Sequence, residues 1–163
     1  DVIGAPYPMK CITWDKVIDA IKEEGITDKD LIKTKGCEWP IKADENHQMK
    51  IYENGIAEVV AVPAGCLLIK RHVFEKMMKE YSHLKINQPT NVNGNNTTHE
   101  WLYNFFDTYF DEKTGKYYGE DFNFCNLWRK IGGKVHAIMT ENVVHIGEYR
   151  YEGTPMKAVK KVD

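Results

Sequence analysis

The chain of 163 residues lacks both a strong excess of charge of one sign and a long apolar run. Lysine and arginine total 22, aspartate and glutamate total 24, and the two signs are interspersed, so the charge pattern does not indicate nucleic acid as a partner. No stretch approaches the roughly 20 apolar residues of a membrane helix, and the N-terminus lacks the layout of a signal peptide. We therefore expect no nucleic-acid partner and no membrane span.

Cysteine is also sparse, and several familiar catalytic motifs are missing. The four cysteines lie far apart without a CxxC pair, which argues against a zinc site or a dense disulfide framework and favours reduced thiols in the cytoplasm. The sequence contains no GxGxxG, P-loop, HExxH or GxSxG motif. The dinucleotide-binding, P-loop, zinc-protease and serine-hydrolase classes therefore have no signature here.

The hydrophobic periodicity that is present predicts alternating strands and helices in one domain over residues 1–163. We expect a mixed α/β fold with a mainly parallel sheet, flanking helices and an antiparallel hairpin at Asn54-Gly55. In such folds ligands collect outside the carboxyl ends of the strands. The predicted helices span 14–24, 72–81 and 119–131, with a short helix after Thr27 or Asp28, and the predicted strands span 2–5, 49–52, 56–62, 66–69, 135–139 and 142–146.

Two segments have few apolar side chains and predict little regular structure. Residues 87–98 are rich in asparagine and are expected to form a flexible loop, either a lid or a tolerated surface insertion. Residues 154–163 are expected to form a weakly structured tail. The first residues read instead as an apolar strand already under way, without an initiator Met, which predicts that the chain is a piece of something longer.

Glu120 and Asp121 lie in the first turn of a predicted helix, where free backbone N–H groups and the helix dipole favour ionised carboxylates. A carboxylate in this position can serve as a general base that takes the proton of an attacking hydroxyl. Acidic residues are also common in first helical turns for stability alone. Local chemistry leaves both interpretations open.

His145 and the residues after it form a second candidate group. His145 ends an apolar strand, where its imidazole is placed either as a ligand for a divalent metal or as an ordinary structural histidine. Tyr149, Arg150 and Tyr151 follow, and aromatic rings beside a fixed cation suit a sugar face and a diphosphate, although a solvated tail is an equal alternative. Gly65, between two apolar strands, permits either a turn or the close approach of a ligand.

Three stretches, in order, resemble the second half of glycosyltransferases with the GT-A fold. They are VPAGCLLIKRHVF at 62–74, YGEDFNFCNLWRKIGG at 118–133, and VHIGEYRYEG at 144–153. They are similar to the family's glycine-containing strand with its following helix, its acidic-pair helix, and the closing His-x-Gly segment of small viral, phage and bacterial members. Residues 1–8 also resemble the strand that follows the nucleotide-binding half.

The resemblance implies transfer of a sugar from a nucleotide-sugar donor to a glycan or other hydroxyl acceptor, in a bacterial cytoplasm or in a virus-infected host cell. It implies Asp121 as the base, Glu120 as an orienting group, and His145 as a ligand of the Mn²⁺ or Mg²⁺ that holds the donor diphosphate. A single carboxylate base favours inversion at the anomeric carbon. The implied substrate-binding residues are Gly65, Cys66, Trp128, Tyr149, Arg150 and Tyr151.

One departure from the family pattern leaves a rival function open. The family's Asp-x-Asp metal motif and nucleotide-binding strands precede the strand at residues 2–5, and this sequence does not contain them; Asp28-Lys29-Asp30 comes too late to replace them. Either a preceding segment or a partner supplies the donor site, or the chain is a noncatalytic carbohydrate-binding or scaffold module of the same fold.

Overall fold

The computed structural model describes residues 1–44 and 48–159. The helices of this part of the chain are α1 (Trp14–Lys22), α2 (Lys29–Lys35), α3 (Arg71–Glu80), α4 (Glu120–Lys130) and α5 (Pro155–Ala158). The strands are β1 (Val2–Gly4), β2 (Lys50–Ile51), β3 (Ile56–Val59), β4 (Leu67–Ile69), β5 (Thr90–Val92), β6 (Asn95–Thr97), β7 (Tyr109–Asp111), β8 (Lys116–Tyr118), β9 (Val135–Ile138), β10 (Val143–Ile146) and β11 (Arg150–Gly153).

A five-stranded mixed sheet with the order β2-β3-β9-β1-β4 forms the centre of the fold. The mixed α/β class predicted from the sequence is confirmed, but the expectation of a mainly parallel sheet is wrong. Only β1 and β9 pair in parallel, and the other three neighbouring pairs are antiparallel. The reason is that β2 and β3 form a tight hairpin and that β3 and β4 both run opposite to the central parallel pair.

The segment 60–66 carries the chain from β3 to β4 across the two strands that lie between them. Val62 lies on Gly4 of β1, where a Cβ would come within 2.9 Å of Val62 Cγ2. On its other side the segment meets α4, since the Val62 carbonyl accepts a weak hydrogen bond of 3.9 Å from the Cys125 thiol. The crossing thereby brings Ala64 and Gly65 to the beginning of α4.

The core lies between one face of the sheet and the helices α3 and α4. Alternate residues of the strands point to this face because side chains along a strand alternate between its two sides. Helical spacing directs the matching side chains of the two helices inward. The buried residues of this core include Val2, Ala57, Val59, Val135 and Ala137 from the sheet, Val73 and Met77 from α3, and Phe124, Cys125 and Trp128 from α4.

Local turn and cap signals in the sequence are confirmed. Asp28 caps α2, with its Oδ1 accepting the backbone N–H groups of Asp30 at 3.1 Å and Leu31 at 2.7 Å. Its carboxylate is therefore used as a helix cap. The predicted hairpin at Asn54-Gly55 joins β2 to β3, and Gly55 has a φ of 76° that favours glycine.

Two segments predicted to lack regular structure contain it. Within residues 87–98, β5 and β6 pair across Asn93-Gly94, whose φ angles of 52° and 83° are those of a tight hairpin turn. Residues 154–159 contain the short helix α5, which begins at Pro155 and whose Met156 N–H donates to the carbonyl of Met139, the residue after β9. The predicted tail residues 160–163 lie outside the described part of the chain.

None of the helices in residues 1–44 and 48–159 has both the length and the apolar content needed to cross a bilayer. All four cysteines are free thiols.

Candidate functional site

Asp121 lies in the first turn of α4, half-buried against the crossing segment. Its Oδ2 accepts the backbone N–H of Ala64 at 3.2 Å and its Oδ1 accepts that of Phe122 at 2.8 Å. Two backbone donors thus hold the carboxylate in one orientation, and each oxygen keeps a further lone pair to accept a proton or hydrogen bond. Glu120, one residue earlier, is exposed on the same turn.

Gly65 follows Ala64 in a single turn of 3₁₀ helix, and its missing side chain leaves room for the ring of Tyr7. A Cβ at this position would lie 2.5 Å from Tyr7 Cε1, 2.9 Å from Cζ and 3.0 Å from Oη. The space beside Gly65, where the sequence predicts either a turn or the close approach of a ligand, is therefore occupied by an aromatic ring of the same chain. Cys66 is next, with an exposed thiol and a carbonyl that accepts the N–H of Ala5 at 2.9 Å.

His145 also contacts Tyr7. The two rings meet edge to face, with their centroids 5.0 Å apart and their planes at 75°. The imidazole Nδ1 lies 2.9 Å from the carbonyl oxygen of Pro8. Because a carbonyl only accepts, Nδ1 must carry the hydrogen, which leaves the Nε2 lone pair available in the neutral ring.

The hydrogen-bonded Nδ1 has a chemical consequence for His145. Histidines that ligate metals commonly donate their second ring N–H to a carbonyl or a carboxylate, which fixes the tautomer and the direction of the coordinating nitrogen. His145 has this arrangement and suits one position in a metal's coordination shell. Within residues 1–44 and 48–159, however, no group of three or more histidine, cysteine, aspartate or glutamate side chains is placed to hold a metal ion.

Tyr7 is the functional candidate that sequence reasoning missed. It lies between Pro6 and Pro8, immediately beyond the carboxyl end of β1, and its ring connects Gly65 to His145. An aromatic residue just after a parallel strand was a usable signal, because this is where α/β folds gather ligands. The ring's partners could not be read from the sequence, since they are about 58 and 138 residues away along the chain.

The structure places Trp128, which the resemblance implies as a substrate-binding residue, in the hydrophobic core. Its side chain is only 3% exposed, and its Nε1 donates to the carbonyl of Lys134 at 3.1 Å. The ring lies directly against Gly133, which has no Cβ to obstruct it. Since Phe124 and Trp128 are four residues apart on α4, the helix directs both into the core.

Tyr149, Arg150 and Tyr151 lie on the β10–β11 hairpin that also carries His145, and Tyr151 is the register partner of His145. Tyr149 and Tyr151 contact each other edge to face at 5.1 Å. Arg150 Nε bonds to Glu152 Oε2 at 3.0 Å, and this guanidinium lowers the pKa of the Glu152 carboxyl. With Trp14 and other residues of α1 and α2, the trio lines a small cavity of about 100 Å³.

The structure therefore brings together four segments that are distant in the sequence. Asp121 bonds to Ala64, the adjacent Gly65 receives Tyr7, and Tyr7 contacts His145. This array lies beyond the carboxyl end of β1, where it combines a fixed carboxylate with an imidazole whose Nε2 is free to coordinate or accept a hydrogen bond. Such a pair can remove a proton from a hydroxyl and contribute one ligand to a cation.

Comparison of the chain with protein-family models, with curated protein sequences and with solved structures gives no match.

Proposed function

We propose that this chain contributes the acceptor side of a glycosyltransferase that moves a sugar from a nucleotide-sugar donor to a hydroxyl acceptor. The observation that carries the proposal is the series of contacts that links Asp121 to His145: Asp121 accepts the N–H of Ala64, the adjacent Gly65 receives the ring of Tyr7, and Tyr7 contacts His145. The two residues are the base and the metal ligand that the resemblance implied, and they are 24 positions apart in the sequence.

In the proposed reaction, the acceptor hydroxyl attacks the anomeric carbon of the donor. A new C–O bond forms there, the bond from this carbon to the diphosphate oxygen breaks, and the nucleoside diphosphate leaves with the electron pair. The Asp121 carboxylate accepts the hydroxyl proton as the attack proceeds. Attack from the face opposite to the leaving group inverts the anomeric configuration.

Two backbone hydrogen bonds orient the Asp121 carboxylate for this proton transfer. The N–H groups of Ala64 and Phe122 restrict the rotation of its carboxylate, so little reorganisation of the side chain is needed when the proton arrives. A bound Mn²⁺ or Mg²⁺ would stabilise the negative charge that develops on the leaving diphosphate. His145 would hold that ion through Nε2, and the Pro8 carbonyl together with the Tyr7 ring would keep the imidazole in position.

The proposal is tested by turnover of nucleotide sugars by the protein expressed from its complete reading frame. UDP-, GDP- and dTDP-sugars are supplied with Mn²⁺ or Mg²⁺, and release of the nucleoside diphosphate is measured with and without EDTA. We expect turnover of one donor class that EDTA abolishes and that His145→Gln weakens. The absence of metal-dependent turnover with every donor would reject the proposal.

A further inference from the structure

A groove of about 320 Å³ lies between α3 and the segment 101–106, separate from the residues assigned to the candidate site. The rings of Phe74, Trp101 and Phe106 are among those that line it. Trp101 is 68% exposed and Phe106 is 43% exposed, so two large aromatic faces are open to solvent at one place. Exposed aromatic residues in a shared concave surface are characteristic of binding sites.

The aromatic wall of the groove is backed by the core. The Phe106 ring stacks on that of the fully buried Phe124, with centroids 4.5 Å apart and planes at 2°. Tyr103 stacks on Phe105 at 5.2 Å, and Phe105 lies 6.4 Å from Phe74. Because these contacts already restrict the rings, a ligand would bind with little further loss of side-chain freedom.

The polar residues of the groove form a neutral pair. Arg71 and Glu75, one turn apart on α3, bond to each other through Nε and Oε1 at 3.0 Å. The pair still presents guanidinium N–H donors and carboxylate lone pairs, but no net charge. Flat apolar faces beside a neutral mixture of donors and acceptors match a neutral sugar ring, which has C–H faces and hydroxyl groups, better than an anionic or a cationic ligand.

The same segment connects the groove to the helix of the candidate base. The carbonyl of Asp107, the residue after Phe106, accepts a hydrogen bond of 3.0 Å from Asn123 Nδ2. Asn123 lies two positions after Asp121 on α4. We propose that this groove binds a neutral oligosaccharide, and, resting on the proposed transferase function, that this oligosaccharide is the acceptor chain whose end is presented to Asp121.

The test is calorimetric titration of the full-length protein, without metal or nucleotide, with four neutral oligosaccharides: chitotetraose, maltotetraose, mannotetraose and a β-galactotetraose. We expect one of them to bind, and Trp101→Ala to weaken that binding about tenfold through the loss of a stacking face. The matched control is Tyr117→Ala, which removes an equally exposed aromatic ring (67%) from β8, outside the groove. The control should leave the affinity unchanged.

Either of two titration results would overturn the inference: binding of none of these sugars at millimolar concentration, or equal losses in Trp101→Ala and Tyr117→Ala. The inference and the proposed function fail separately. If the protein binds a sugar in a way that depends on Trp101 but turns over no nucleotide sugar, the groove is a sugar-binding site and the proposed transferase function is rejected. If the protein turns over a nucleotide sugar and Trp101→Ala leaves the acceptor KM unchanged, the transferase function is supported and the role of the groove in acceptor binding is overturned.

Discussion

Replacing Gly65 by alanine tests whether the contact between Gly65 and Tyr7 organises the candidate site. The new Cβ would lie 2.5 Å from Tyr7 Cε1, about 1 Å inside the roughly 3.5 Å at which carbon atoms normally touch. Tyr7 is half-buried and packed against His145, so its ring cannot move away without disturbing that residue. The substitution should therefore reach His145 through Tyr7.

The expected free energies have opposite signs in two backgrounds. Overpacking of this kind costs about 1–3 kcal/mol. The backbone of the 3₁₀ turn accepts alanine, and a compatible Gly-to-Ala change stabilises by about 0.4–1 kcal/mol through the unfolded state. Gly65→Ala should thus destabilise the wild-type protein by about 1 kcal/mol, the difference between the midpoints of the two ranges, but it should stabilise a Tyr7→Ala protein, in which the clash is gone.

The assay is a double-mutant cycle by urea denaturation of the wild type, Gly65→Ala, Tyr7→Ala and the double variant. Imidazole ¹⁵N NMR of His145 is measured on the same proteins, and we expect Gly65→Ala to shift its Nδ1 signal as the bond to Pro8 is disturbed. An equal effect of Gly65→Ala on unfolding in both backgrounds, or an unchanged His145 signal, would refute the account of this contact.

Three further predictions concern the core and the surface charges. Burial raises the pKa of the Cys125 thiol to about 11, so iodoacetamide at mildly alkaline pH should label the two exposed cysteines and leave Cys125 unmodified, as mass spectrometry of tryptic peptides will show. Trp128→Ala should lower the free energy of unfolding by about 3–5 kcal/mol, measured by urea titration, because it empties a buried site on α4. The Lys16 ammonium, followed by the Thr13 hydroxyl, lowers the pKa of Glu38 below its ordinary 4.5, so the stability that this carboxylate contributes is present above that pH and is lost as the pH falls through the lowered value. Thermal unfolding of Glu38→Gln should accordingly lose less stability between neutral and acidic pH than the wild type.

Local structure could be predicted from the sequence because its causes are local. Asp28 caps α2 through bonds to residues two and three positions later, and Asn54-Gly55 turns the chain within four residues. The Asn-Gly turn signal also occurs at Asn93-Gly94, where it marks the hairpin within 87–98. The low apolar content of that segment points instead to a loop, and the two signals conflict there.

Sheet order and the partners of the candidate site could not be predicted in this way. Residues 60–66 cross two strands because Val62 packs on Gly4 and because Asp121 binds Ala64, and neither contact leaves a periodic signal in the sequence. Trp128 was assigned to the substrate by its position in a resembling motif. Its spacing from Phe124 indicates the core, where the structure places it.

The loss of turnover in Asp121→Asn is the most direct test of the proposed base. Asparagine keeps one oxygen, which can accept the N–H of Ala64 but not that of Phe122 as well, so the start of α4 should persist with one hydrogen bond fewer while the proton acceptor is lost. The control is Asp30→Asn, which removes a carboxylate from the corresponding first turn of α2. With the donor that the protein uses, we predict that kcat falls by about 10² to 10⁴ for Asp121→Asn and is unchanged for Asp30→Asn. A kcat for Asp121→Asn within about twofold of wild type would contradict the account, since loss of a general base costs about 10²-fold or more.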